Sequence, residues 1–170
     1  CLIGDSMGTG KTLSGVLLDR EERMRLVFEK QDTFRTLIVC TKGGLSVWKW
    51  HLEDQGVPPG RILVIDPGNR APFDRELSSG ALNYDYYVLH YPALTLCPFF
   101  EKVQIGRNAL VWDHIIADEC HLIKNKKALR TKALKRQKAK KRTALSGTPA
   151  DDKPMDIWSV LHWLDKSTYS

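Results

Sequence analysis

The sequence has no apolar run approaching the roughly 18 to 20 residues that a membrane-spanning helix needs, and no basic-then-apolar leader opens it. These absences point away from membrane and exported proteins. A cytoplasmic or nucleoid-associated location is expected, nuclear in a eukaryote. Cysteine is sparse. Cys1, Cys40, Cys97 and Cys120 form no CxxC pair, which excludes a disulfide ladder, and Cys120-His121 alone lacks the paired spacing of a structural zinc site. Internal repeats and low-complexity linkers are missing, so 170 residues read as one domain. Acidic residues are missing from Lys124 to Arg142, where eleven of nineteen residues are Lys or Arg. The formal charge of the whole chain is +6. All its basicity is therefore local, and the remainder is net acidic. Such a strip reads equally as a solvated helix and turn or as a surface facing phosphates.

What is present is an alternation. Leu2-Ile3 leads into the loop DSMGTGKT, after which Leu13, Val16, Leu17, Met24, Val27 and Phe28 recur at helical spacing. TLIVC (36–40) reads as a buried strand, followed by a Gly43-Gly44 turn and a helix over 46–55. RILVID (61–66), DYYVLHY (85–91), WDHIIAD (112–118) and RTALS (142–146) bring the expected strands to six. Helices fit 93–103, 128–138 and 155–164. Strands that read as continuous apolar runs, alternating with helices, predict an α/β fold with a mostly parallel sheet covered on both faces.

Three motifs carry chemistry. Met7-Gly8-Thr9-Gly10-Lys11-Thr12 lies between a strand and a helix, where glycines turn backbone N–H groups toward a phosphate, Lys11 reaches the β and γ phosphates and Thr12 ligates Mg²⁺. The strict pattern GxxxxGK[ST] wants glycine at position 5, where this chain has Asp5. Ile115-Ile116-Ala117-Asp118-Glu119 is an apolar strand ending in two carboxylates. The first suits Mg²⁺; the second suits a water that attacks the γ-phosphate. RTALSGTPA is a further strand running into Ser146, Gly147 and Thr148, at the strand end where open α/β sheets bind ligands.

The Walker-type loop, the DECH box (118–121) and the SGT motif (146–148), in this order, resemble motifs I, II and III of superfamily-two helicases and translocases. More narrowly, DSMGTGKT resembles the DEMGxGKT loop of the Swi/Snf-type ATPases, whose loop also carries Asp at the departing position. ADECHLIKNKKA resembles their DEAHRLKN signature, and SGTPADDKPMDIWSVLHWL resembles their TGTPLQNNLxELWSLLxFL. VCTKGGLSVW resembles motif Ia, with Thr41 in place of the family proline and with Lys42 and Trp48 retained. DYYVLHY resembles motif Ib, although Leu89 and His90 replace the usual hydroxyl pair and only Tyr91 matches. The compact form without an accessory segment resembles bacteriophage-encoded members.

The resemblance implies a P-loop NTPase domain of RecA-like fold, the first lobe of a two-lobed motor that holds ATP between its lobes and DNA across both. The start at Cys1, inside an apolar run, fits an N-terminally truncated lobe over residues 1–170, with the second lobe absent and activity expected to be weak. Lys11, Asp118 and Glu119 would be catalytic, residues 7–12 would cradle phosphate, and Thr12 and Asp118 would hold Mg²⁺. His121, Ser146, Gly147 and Thr148 would couple hydrolysis to lobe movement. Lys42, Gly43 and Tyr91 would contact nucleic acid, duplex DNA before RNA. Core packing is the expected role of Trp48 and Trp50. The alternatives are a nucleotide-binding scaffold that does not hydrolyse, which intact Lys11, Asp118 and Glu119 argue against, and a plain basic DNA-binding protein.

Overall fold

A computed structural model describes residues 1–6, 8–28, 33–66, 82–97, 100, 110–147, 154–165 and 167–168. Among them, six strands form one parallel sheet in the order β1-β6-β5-β2-β4-β3: β1 Leu2–Gly4, β2 Thr36–Cys40, β3 Ile62–Ile65, β4 Tyr86–His90, β5 Val111–Ala117 and β6 Lys138–Ser146. All five residues of β2 and all five of β4 are buried, as expected where helices cover both faces.

Alternation along each strand sorts the core into two layers. On one face Ile38, Cys40, Val88, Ile116 and Leu145 pack against Val16 of α1 (Lys11–Phe28) and against Leu45, Trp48 and Leu52 of α2 (Gly44–Asp54). On the other, Leu37, Val39, Leu89, Ile115 and Ala144 pack against α3 (Ala93–Leu96), α4 (Leu129–Arg136) and α5 (Pro154–Leu164) through Leu94, Leu134 and Trp163. The six expected strands are all present, and the expected parallel α/β architecture is the one observed.

Three expectations need correction. The first concerns α1, whose inner face is not the apolar stripe that periodicity suggests. Leu17 and Met24 are 47% and 52% exposed, while Val16 and the carboxylate of Asp19 face inward. Asp19 is accommodated by partners. His114 Nδ1 lies 2.8 Å from its Oδ1, Thr36 donates to the same oxygen at 2.7 Å, and Arg23 donates to Oδ2 at 3.3 Å. Arg23 in turn lies over the rings of Phe34 and Tyr86.

The second is the basic segment, which is not one strip. Its last residues belong to β6, which begins at Lys138 and pairs with β5 from Val111 onward. Lys140 meets Asp113 at 2.7 Å and Lys141 meets Glu22, so ion pairs to residues distant in sequence draw the run into the sheet. Earlier in the segment, Arg130 donates to the Leu122 carbonyl, Lys135 donates to Ser159, and Lys126 lies over Trp158.

The third is Trp50, which is 59% exposed, whereas Trp48 is fully buried as expected. The helix expected over 93–103 is observed at Ala93–Leu96, and residues 98–99 and 101–109 lie outside the described residues.

Candidate nucleotide site

Strand order brings three loops to one edge. β6 lies between β1 and β5, with Gly4 opposite Ser146 and Ala117 opposite Ala144, so the loops after β1, β5 and β6 leave the sheet side by side. Asp5 N–H extends the ladder by donating to the Ser146 carbonyl at 3.2 Å, which ties the start of the glycine-rich loop to the end of β6.

The loop is built from its backbone. Gly8 and Gly10 have φ of +82° and +81°, a conformation L-residues avoid, and a Cβ at either position would meet nothing within 4 Å. Backbone geometry, not crowding, is what requires glycine there. Asp5 is free of that requirement, because among the described residues Glu119 alone combines positive φ with a side chain. The departure from the strict pattern therefore introduces no strain. The Asp5 side chain also caps the turn by accepting from Ser6 N–H at 2.8 Å. Lys11, at the first position of α1, folds back over the loop and donates to the carbonyls of Asp5 at 2.8 Å and Ser6 at 2.5 Å. Thr9 also donates to the Ser6 carbonyl. Met7 lies outside the described residues.

At the end of β5 both oxygens of Asp118 are held. Its Oδ1 accepts from Glu119 N–H at 2.9 Å and its Oδ2 from Trp48 Nε1 at 2.8 Å. Its backbone is held too, with N–H donating to Val39 and C=O accepting from the Tyr91 hydroxyl at 2.7 Å. Glu119 sits in the left-handed region at φ 49°, a cost of order 1–2 kcal/mol for a side-chain-bearing residue. Its Oε2 lies 3.1 Å from His121 Nδ1, which also lies 3.3 Å from Ser146 Oγ. His121 thus joins the second acid of motif II to the end of β6. Next to it, burial pushes the Cys120 thiol up to about 12 despite a hydrogen bond with Ser146, so that thiol stays protonated and unreactive.

Most of the expected site residues lie together, Met7 and Thr148 being outside the described residues. Gly8 to Thr12, Asp118, Glu119, His121, Ser146 and Gly147 all gather at adjoining strand ends. Lys42 and Gly43 are exposed at the end of β2. Tyr91 is not at the surface. It is 2% exposed, burial holds its hydroxyl well above the usual phenol range, and it braces motif II from behind. Thr41, standing where the family motif has proline, closes its turn by accepting from Gly44 N–H at 3.2 Å. Sequence reading missed the Trp48–Asp118 bond. The only signal was a tryptophan on a buried helix face, whose N–H must find an acceptor.

The SNF2-related domain family matches residues 1–170. Among similar proteins, a putative SWI/SNF-related matrix-associated actin-dependent regulator of chromatin (subfamily A member 3-like 1) of Arabidopsis thaliana is 28% identical over 168 residues, 98% of this chain and 18% of that protein. The ISWI chromatin-remodeling complex ATPase ISW2 of Saccharomyces cerevisiae is 28% identical over 165 residues, 96% of this chain and 14% of its own length. The SWI2/SNF2 ATPase core of Sulfolobus solfataricus, solved in complex with double-stranded DNA, superposes with a TM-score of 0.73 at 27% identity, covering 96% of this chain and 31% of that one. This chain therefore spans less than a third of each of these proteins. With a parallel sheet that gathers the glycine-rich loop, the paired acids and Ser146 at one edge, and with a family match over its whole length, the chain belongs to the SNF2-related domain family.

Proposed function

We propose that this chain is the first of two RecA-like lobes of an ATP-dependent DNA translocase, and that Mg-ATP binds at the shared ends of β1, β6 and β5. The observation that carries this reading is the convergence of Lys11, Asp118 and Glu119 on adjoining strand ends. The donor set suits the nucleotide: two left-handed glycines before a helix N-terminus, an ammonium at its first position, and hard oxygen donors in Thr12 and Asp118.

Lys11 is held by two loop carbonyls and exchanges them for phosphate oxygens on binding. When bound, Mg²⁺ supplies charge neutralisation for the phosphoryl group being transferred. Glu119 accepts the proton of the attacking water, and His121 holds that carboxylate and passes its position to Ser146. Ser146, Gly147 and Thr148 couple the site to the second lobe, whose arginines complete the transition-state charge. The lobe alone is accordingly expected to be a weak ATPase. Duplex DNA is the proposed track, because the Sulfolobus relative was solved with it and other relatives act in chromatin remodeling and DNA repair by name. Lys42 and Gly43 are the exposed candidates for backbone contact, and a DNA-containing compartment is the proposed location.

Two variants of the full-length protein test the assignment. Glu119→Gln is expected to bind a fluorescent ATP analogue like the wild type and to lose turnover by at least about 10²-fold. Lys11→Ala is expected to weaken binding itself. Equal turnover in Glu119→Gln and wild type would remove Glu119 from the chemistry.

A further inference from the structure

Trp48 lies on α2, outside the three motifs, with no exposed surface. It belongs to the layer between α1, α2 and the sheet, together with Val16, Ile38 and Leu145. Two of its contacts go beyond packing. Its Nε1–H donates to Asp118 Oδ2 at 2.8 Å, a charge-assisted bond to a half-buried carboxylate. At the opposite end of the indole, Cη2 lies against Gly15, where an added Cβ would come within 2.8 Å of it and within 3.1 Å of Leu145 Cδ1. Gly15 is on the helix that begins with Lys11 and Thr12. A single rigid ring therefore spans the gap between the phosphate-loop helix and the first acid of motif II.

Consider what fixes Asp118. One oxygen is bound by Glu119 N–H, itself held in left-handed backbone, and the other by the indole. Rotation of the carboxylate would break both bonds. A buried indole N–H has no acceptor capacity and must donate somewhere, so the two groups hold each other in place. Outer partners of this kind set the orientation of a metal-binding carboxylate and hence its affinity.

We propose that Trp48 is a positioning residue for Mg²⁺ binding: it sets the orientation of Asp118 relative to α1, and Gly15 is the residue that admits the ring. This rests on the Mg-ATP reading of the site. The helical glycine is explained at the same time, since glycine inside a helix is disfavoured against alanine and needs a reason.

The test uses the full-length protein with Trp48 replaced by 3-benzothienylalanine, which keeps the ring shape and exchanges N–H for sulfur, and in parallel Trp48→Phe. In the nucleotide-free wild type, the Trp48 indole N–H resonance is expected to show slow exchange that Asp118→Ala abolishes. The Mg²⁺ concentration for half-maximal binding of a fluorescent ATP analogue is expected to rise about tenfold in the benzothienylalanine protein, the range seen when an outer partner of a metal ligand is removed. Nucleotide binding without Mg²⁺ is expected to stay at the wild-type level. Gly15→Ala is expected to raise the Mg²⁺ requirement alone and to add little on top of Trp48→Phe, whose smaller ring leaves room for the methyl. Wild-type Mg²⁺ dependence in the benzothienylalanine protein would overturn the inference while leaving the nucleotide site standing. A wild-type protein with no Mg²⁺-dependent binding would overturn the nucleotide reading and this inference with it.

Discussion

At the scale of single residues, two kinds of backbone strain sit in the site and have opposite signs for stability. Gly8 occupies φ +82° with open space around it, so Gly8→Ala carries only the left-handed penalty of about 1–2 kcal/mol. Glu119 already carries that penalty at φ 49°. Replacing it with glycine relieves the strain and gives back part of it as unfolded-chain entropy, of order 0.5–1 kcal/mol. Thermal unfolding of the nucleotide-free protein is expected to show Gly8→Ala a few degrees below wild type and Glu119→Gly level with it or up to a few degrees above. Glu119→Gly should at the same time be inactive. A large loss of stability in Glu119→Gly would mean that the left-handed turn is not strained and that the acid holds the fold rather than the chemistry.

At the scale of elements, α1 is fastened to the sheet by a polar cluster. Asp19 receives His114, Thr36 and Arg23, and His114 Nε2 reaches Thr143 Oγ1 at 2.8 Å, so α1, β2, β5 and β6 share one buried network. Burial alone would raise the Asp19 pKa, but the hydrogen bond and charge of His114, with Arg23 and Thr36, more than offset it and hold the carboxyl below its ordinary value. Its contribution to stability is complete above the unfolded carboxyl value of about 3.9. As pH falls through the lower folded value, that contribution is lost. Asp19→Asn should flatten this part of the stability–pH curve in denaturant titrations, and it should cost about 3–5 kcal/mol at neutral pH by leaving charged and polar partners unmatched. An unchanged acid limb would show that the carboxylate titrates normally. This network also marks where sequence reading stopped. The strands were legible because two-sided burial writes them as unbroken apolar runs such as TLIVC. Helical periodicity does not single out Asp19, because only Arg23 is near it in sequence and its other partners, Thr36 and His114, lie 17 and 95 positions away. The start of β6 hid in the same way inside a run of lysines, whose acidic partners Asp113 and Glu22 are remote in sequence.

At the scale of the whole molecule, the sheet order does the assembling. The glycine-rich loop, the paired acids and Ser146 are spread over 142 positions from Asp5 to Ser146, and inserting β6 between β1 and β5 makes them neighbours. The motifs were legible because each follows an apolar strand, and the family resemblance already grouped His121 with Ser146, which it approaches together with Glu119. The sequence does not show Trp48 bonded to Asp118, since that contact depends on which elements lie side by side. Tyr91 illustrates the converse, a residue of a nucleic-acid motif that the fold turns inward to brace Asp118. On the proposed reading this lobe forms one face of the nucleotide site and a second lobe supplies the transition-state arginines, so turnover should depend on what brings the lobes together. The most direct test is steady-state ATP hydrolysis by the full-length protein, measured with no nucleic acid, single-stranded DNA, duplex DNA and RNA. A DNA translocase predicts the largest stimulation by duplex DNA and its loss in Glu119→Gln. The absence of turnover under all four conditions, with nucleotide still bound, would contradict it and identify a nucleotide-binding scaffold.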